Sequence, residues 1–182
     1  MADDEIVNQI NLENRYTELA RWLRSERNES GFWSGQLSSS ALATAVSIVS
    51  LKINGDDSDK ESILIGSAWL QRHINSDGGF GDTPESISNV STSLLCYGAV
   101  YFCRDENCHA KDTLISLENY LATQKISLNS NDIANSVLSY YGKDFTFSVP
   151  ILSMLVICGV VDKLVCRKIP QLPFEFTLLP AS

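Results

Sequence analysis

Basic residues are scarce in this chain: 14 Lys and Arg stand against 22 Asp and Glu, for a net charge of −8. Nucleic acid is therefore a poor partner, because phosphate binding needs clustered cations, and charge-driven docking on anionic lipid is disfavoured too. Positive charge is missing from the first residues, Met1-Ala2-Asp3-Asp4-Glu5, and no apolar run follows them, so a secretory signal is not expected. Long apolar runs are missing as well. The longest, Val149 to Val161 with Ser153 inside it, falls short of the roughly 20 residues of a membrane span and reads as a buried helix. Cysteines number five (Cys96, Cys103, Cys108, Cys158 and Cys166), an odd count without framework spacing. They read as reduced thiols of a cytoplasmic protein, with room left for peripheral contact with a membrane. No sustained alternation of β-branched residues appears, so strands are not expected.

What is present is ordinary globular composition, 44% hydrophobic and 20% charged, over 182 residues, enough for one domain with a sizeable core. A repeat organises it. Ala20-Arg21-Trp22-Leu23 followed by Gly31-Phe32-Trp33 returns as Ala68-Trp69-Leu70 followed by Gly78-Gly79-Phe80. Trp22 and Trp69, Gly31 and Gly78, and Trp33 and Phe80 are each 47 positions apart. A weaker third copy begins at Tyr120-Leu121 and has lost the Gly-x-aromatic turn. Within a copy, Leu19, Trp22 and Leu23, and again Ala41, Thr44, Ala45, Ile48 and Val49, have helical spacing. Gly31, Gly78 and Gly79 suit a reversal between helices where φ is positive. Thr83-Pro84-Glu85 suits a helix start. The pattern predicts seven helices near 5–28, 39–53, 60–75, 86–103, 111–126, 131–141 and 149–159. They form one α/α-repeat domain over 1–182, with repeats near 5–53, 60–103 and 111–159 and an irregular Pro-containing tail over 160–182. One helical hairpin cannot bury both of its faces, so stacked neighbours are required.

The segment Trp69 to Asp82, WLQRHINSDGGFGD, resembles the repeat of squalene–hopene and oxidosqualene cyclases, which sets an aromatic-Leu pair on a helix, then a Gln, then Gly-x-Trp. Here Ile74 and Arg27 stand at the Gln positions, Phe80 replaces one Trp, and the third copy keeps Tyr120-Leu121 with Gln124 slightly displaced. Gly31 to Ser38 resembles the family's first Gly-Tyr-Trp-x-Gly-x-Leu-x turn, and Ile169 to Glu175 its Val-Pro-x-x-Pro-x-Glu connection. The ordered set resembles the N-terminal part of these terpene cyclases. It implies an all-α fold, part of an (α/α)6 toroid of the prenyltransferase-like type. Their proton donor, an aspartate in Asp-x-Asp-Asp carried in the C-terminal domain, has no counterpart here. The resemblance thus implies a truncated or split member of an isomerase family that does not catalyse alone. Its expected role is a scaffold or part of an isoprenoid-binding wall, with a squalene-like lipid or a complementary cyclase domain as partner.

Each candidate site also has a structural role open to it. Asp56-Asp57-Ser58-Asp59 is the one dense acidic cluster, and it reads as a solvated loop before a helix start. Cys103, Cys108 and His109 offer three ligands where structural zinc wants four, so no metal and no cofactor are expected. His73 shares a helix with Trp69 and no triad motif marks it. Trp22, Trp33, Trp69 and Phe80 with Gly31 and Gly78 read as structural, the aromatics locking helix ends, with Trp69 packed against Gly78 to Phe80. By resemblance, Phe145, Phe147 and Pro150 fall where the cyclases bring this domain to the cavity wall. In the alternative, Ser148 is an N-cap with Pro150 in the first turn. No catalytic residue is assigned. The competing function is a stand-alone α/α-repeat interaction module, and the uncovered edge of a partial toroid predicts self-association.

Overall fold

The structure, a computed structural model, describes residues 2–35, 37–105, 110–129, 132–142 and 144–168, of which 2–10 by their backbone alone. The described residues form seven α-helices and no strand beyond one isolated bridge. The all-α class read from the sequence is the class found. No described helix is long and apolar enough to cross a membrane. The chain divides into two compact units, residues 1–38 and 39–182.

The first unit is helix α1 (Ala2–Ser25) and the turn after it. Asn28 and Gly31 close that turn: the Asn28 amide donates to the Phe32 carbonyl and the Gly31 amide to the Asn28 carbonyl, both at 2.9 Å. Gly31 has φ of +86°, a region costly to residues with a Cβ. Trp33 is thereby folded back, and its indole N–H donates to the Leu23 carbonyl at 2.6 Å, satisfying an otherwise orphaned acceptor at the end of α1. The Arg27 guanidinium lies over the same ring, 5.6 Å from its centre.

The second unit holds α2 (Ala41–Asn54), α3 (Lys60–Arg72), α4 (Val90–Phe102), α5 (Ala110–Thr123), α6 (Ile133–Tyr141) and α7 (Phe145–Ile157). Side chains set their starts: Ser40 accepts from the Ala43 amide, Asn89 from Thr92 and Asp144 from Thr146. Helix α4 is apolar on every side, and the rest of the unit packs around it. Of its residues, Val90 and the whole run Thr92 to Val100 are buried. Helices α2, α4 and α7 run the same way. The Cys96 thiol lies at 3.6 Å from the Ala41 carbonyl near the start of the α2–α4 pair, and the Lys52 ammonium donates to the Phe102 carbonyl at 2.8 Å at its end. Leu155 and Cys158, near the end of α7, pack over Gly98 in α4. Helices α3 and α5 return in the opposite sense: Lys60 and Ile63 at the start of α3 border Leu51 and Lys52 at the end of α2, Trp69 near the end of α3 borders Ser40 and Thr44, and Gly78 and Gly79, ahead of α4, meet Ser116 and Tyr120 late in α5, where Tyr97 of α4 also donates to Glu118 at 3.0 Å. Parallel helices alternating with return helices form the antiparallel hairpin layering of an α/α toroid segment.

Several boundaries differ from expectation. Thr83-Pro84-Glu85 does not start a helix. It forms a turn closed by the Ser86 amide on the Thr83 carbonyl at 3.0 Å, and α4 begins only at Val90 because Ser86 and Ser88 are engaged by Asn75. Ser148 is not an N-cap. Asp144 takes that role, α7 starts at Phe145, and the buried Ser148 hydroxyl donates to the Asp144 carbonyl at 3.2 Å. Pro150 therefore sits inside the helix rather than in its first turn, and lacks the N–H that Thr146 would otherwise receive. Residues 169–175, with their Pro-x-x-Pro pattern, lie outside the described residues, as do Cys108 and His109.

Candidate functional site

The two copies of the repeat superpose in their hydrogen bonds. Asn75 and Gly78 repeat the Asn28 and Gly31 pattern: the Asn75 amide donates to Gly79 and the Gly78 amide to Asn75, again at 2.9 Å, with Gly78 at φ of +83°. Gly79 keeps a φ that any residue adopts, and what asks for glycine there is space: a Cβ would stand 2.7 Å from Ser88 Cβ and 2.9 Å from the Tyr120 ring. The asparagines are also 47 positions apart, a recurrence that the aromatic and glycine pattern does not bring out.

The copies differ in what surrounds them. Phe80 is fully buried, its amide donating to the Ser93 hydroxyl at 2.9 Å, whereas Trp33 and Trp22 are half-exposed in their own unit. Trp69 is half-buried and stacks on His73 with ring centres 4.0 Å apart. It borders a shallow hollow with Ser40, Thr44 and Gly66, toward the start of α2. His73 Nδ1 lies 2.8 Å from the Trp69 carbonyl. The acidic cluster after α2 is a capping box: Asp56 accepts from the Ser58 amide at 2.8 Å, the Asp59 carboxylate accepts from the Asp56 amide at 3.1 Å, and Lys60 pairs with Asp57 at 2.8 Å. The Ser58 hydroxyl, followed by its amide, holds the Asp56 carboxyl below its usual range. Among the described residues no three metal-ligating side chains gather.

A groove of about 960 Å³ with room for a ligand lies where α2 and α7 diverge over α4. Leu42, Val46, Val49 and Ile53 form one wall, Phe147, Pro150, Met154 and Ile157 the other, and Val90 and Leu95 of α4 the floor. Each wall is one helical stripe, and Val46, Ile53, Phe147 and Ile157 remain about half-exposed. Of the residues expected at a cavity wall, Phe147 and Pro150 line this groove. Phe145, two positions before Phe147 on α7, is not among its lining.

One end is polar. Asp82, just past Phe80, accepts on Oδ1 from the Asn89 amide group at 2.9 Å and the Thr92 hydroxyl at 2.5 Å. These bonds, Thr92 first, hold its carboxyl below the usual carboxylate range against a small opposing effect of burial. Ser91 and the Tyr141 hydroxyl share a hydrogen bond of 2.5 Å at the same turn of α4. Burial pushes the Tyr141 phenol up. Tyr141 packs against Tyr140 at 5.1 Å and Phe147 at 6.0 Å between ring centres. The walls were legible as helical stripes, whereas Asp82, Asn89 and Ser91 carry no local signal of facing a groove.

Parallel helices backed by return helices, joined through a Gly-x-aromatic turn that recurs at fixed spacing, define an α/α-hairpin repeat protein. The profile of the squalene-hopene cyclase N-terminal domain matches residues 17–107, half of the chain and both of its clear repeats, and the chain belongs to that family. Neither a curated protein nor a solved structure matches it.

Proposed function

We propose that this domain holds a long apolar chain of the isoprenoid kind in the α2–α4–α7 groove and does not carry out cyclisation by itself. In this reading it serves as wall and scaffold for a terpenoid-cyclising assembly in the cytoplasm or at a membrane face. The carrying observation is the groove itself. Its two walls are apolar stripes left half-exposed, and its volume suits a small-ligand site. Cyclisation begins when a strongly acidic carboxylic acid protonates an alkene or epoxide. Asp82, the carboxyl that lines the groove, accepts from the Asn89 amide group and the Thr92 hydroxyl, bonds that favour its ionised form over the protonated acid needed to start the reaction. A complementary domain would supply the acid.

The test is incubation of the purified chain with squalene and with oxidosqualene. The expected result is lipid that co-elutes with the protein and is recovered unchanged. Cyclic product that vanishes in Asp82→Asn would overturn the reading. Leu12, Tyr16, Leu19 and Leu23, an apolar stripe of α1 left uncovered within its own unit, favour a second reading, a module that docks on a protein partner or on its own copy. A lipid-free chain captured with one specific protein would decide for it.

A further inference from the structure

The groove has two unlike ends, and this polarity carries a statement about its occupant beyond apolarity. Resting on the reading that the groove takes a long apolar chain, we infer that it selects amphiphiles whose head is a protonated amine. The ammonium is received by Asp82 and the rings of Tyr140, Tyr141 and Phe147, and the chain runs toward Ile53 and Ile157.

Asp82 and Tyr141 are tied to the same first turn of α4, through Asn89 and Thr92 for the carboxylate and through Ser91 for the phenol, so charge and rings meet at one end. The protein's donors to Asp82 both use Oδ1, and among the described residues no cation pairs with it. Carboxylate and aromatic faces together suit an ammonium better than a neutral or anionic head. The N-termini of α2, α4 and α7 also point to this end, but Ser40, Asn89 and Asp144 already meet their amides, so the partial positive charge there is answered from within the protein. No Lys, Arg or His is among the described residues that line the groove. From Phe147 to Ile157 the wall is roughly 15 Å long at the helical rise, room for an alkyl chain of about a dozen carbons.

The experiment compares dodecylamine, dodecanol and dodecanoate by calorimetry on the whole chain at neutral pH, below the concentrations at which they form micelles. Dodecylamine is expected to bind about tenfold tighter than dodecanol, with dodecanoate weakest, and added salt should narrow the gap. Asp82→Asn should remove the preference while sparing dodecanol. Asp57→Asn, which deletes the same charge from an exposed loop, should keep it. Equal affinities in the unmodified chain, or a preference lost equally in Asp57→Asn, overturn the inference and leave the groove as a site for apolar chains. Val46→Trp fills the groove, so three affinities untouched by it would refute the groove itself and the proposed function with it. A chain that sediments as a dimer and takes up no amphiphile overturns the inference in favour of a second copy on this face.

Discussion

The substitution Gly78→Ala, set beside Gly31→Ala, tests whether the repeat turn is held by backbone conformation alone or also by its neighbours. Both glycines sit at nearly the same positive φ, +83° and +86°, so the left-handed backbone charges both variants alike, about 1–2 kcal/mol. A small gain from a stiffer unfolded chain, about 0.4–1 kcal/mol, offsets part of this at both positions. Their surroundings differ. A methyl at Gly31 would stand 2.9 Å from the end of the Arg27 side chain, which can move aside. A methyl at Gly78 would stand 2.6 Å from the Ser116 carbonyl oxygen, part of the α5 backbone. Overpacking of that kind adds about 1–3 kcal/mol. The expectation is about 1 kcal/mol for Gly31→Ala and about 2–4 kcal/mol for Gly78→Ala. Urea unfolding followed by far-ultraviolet circular dichroism measures both. Asparagine variants divide the causes, since Asn tolerates positive φ but still carries a Cβ. Gly31→Asn should be nearly neutral and Gly78→Asn should stay costly. Equal losses for the two alanine variants would refute the claim that contact with α5 makes the second turn the more demanding.

Three further outcomes are expected. Phe80→Ala, at a fully buried position, should cost about 3–5 kcal/mol in the same unfolding assay, more than half-buried Trp69→Ala, and a reversed order would contradict the placement of the two rings. Lys125, at φ of 62° where the chain leaves α5, should gain about 0.5–1 kcal/mol when replaced by Gly, and a loss on denaturation would count against that left-handed cap. Asp82 has a lowered carboxyl pKa, so its contribution to stability is complete above the unfolded value near 3.8 and is lost as pH falls through the lower folded value; Asp82→Asn should flatten the acid limb of the stability profile below about pH 4, and an unchanged limb would refute the link.

Much of the architecture was written in local pattern. Helical spacing at Leu19, Trp22 and Leu23, and from Ala41 to Val49, is a property of neighbours within one or two turns, so it announces a helix whatever the helix later packs against. The 47-residue recurrence of Gly31 at Gly78 likewise fixes where the chain reverses, because positive φ is a demand on one residue. Caps were less legible. Ser148 and Asp144 both qualify by type four positions apart, and the choice fell to Asp144 because burial of Ser148 leaves its hydroxyl only the backbone to bond. Trp69 stacks on His73, four positions on, a neighbour at ordinary helical spacing. The groove belongs wholly to tertiary structure. Its apolar stripes are visible in the sequence, but a stripe does not say whether it meets the core, a partner or open space. Only the divergence of α2 and α7 over α4 leaves Val46 and Phe147 half-exposed across a gap. Only the bonds from Asn89 and Thr92 bring Asp82 to the gap's end, because a carboxylate's surroundings depend on segments that the chain order keeps apart.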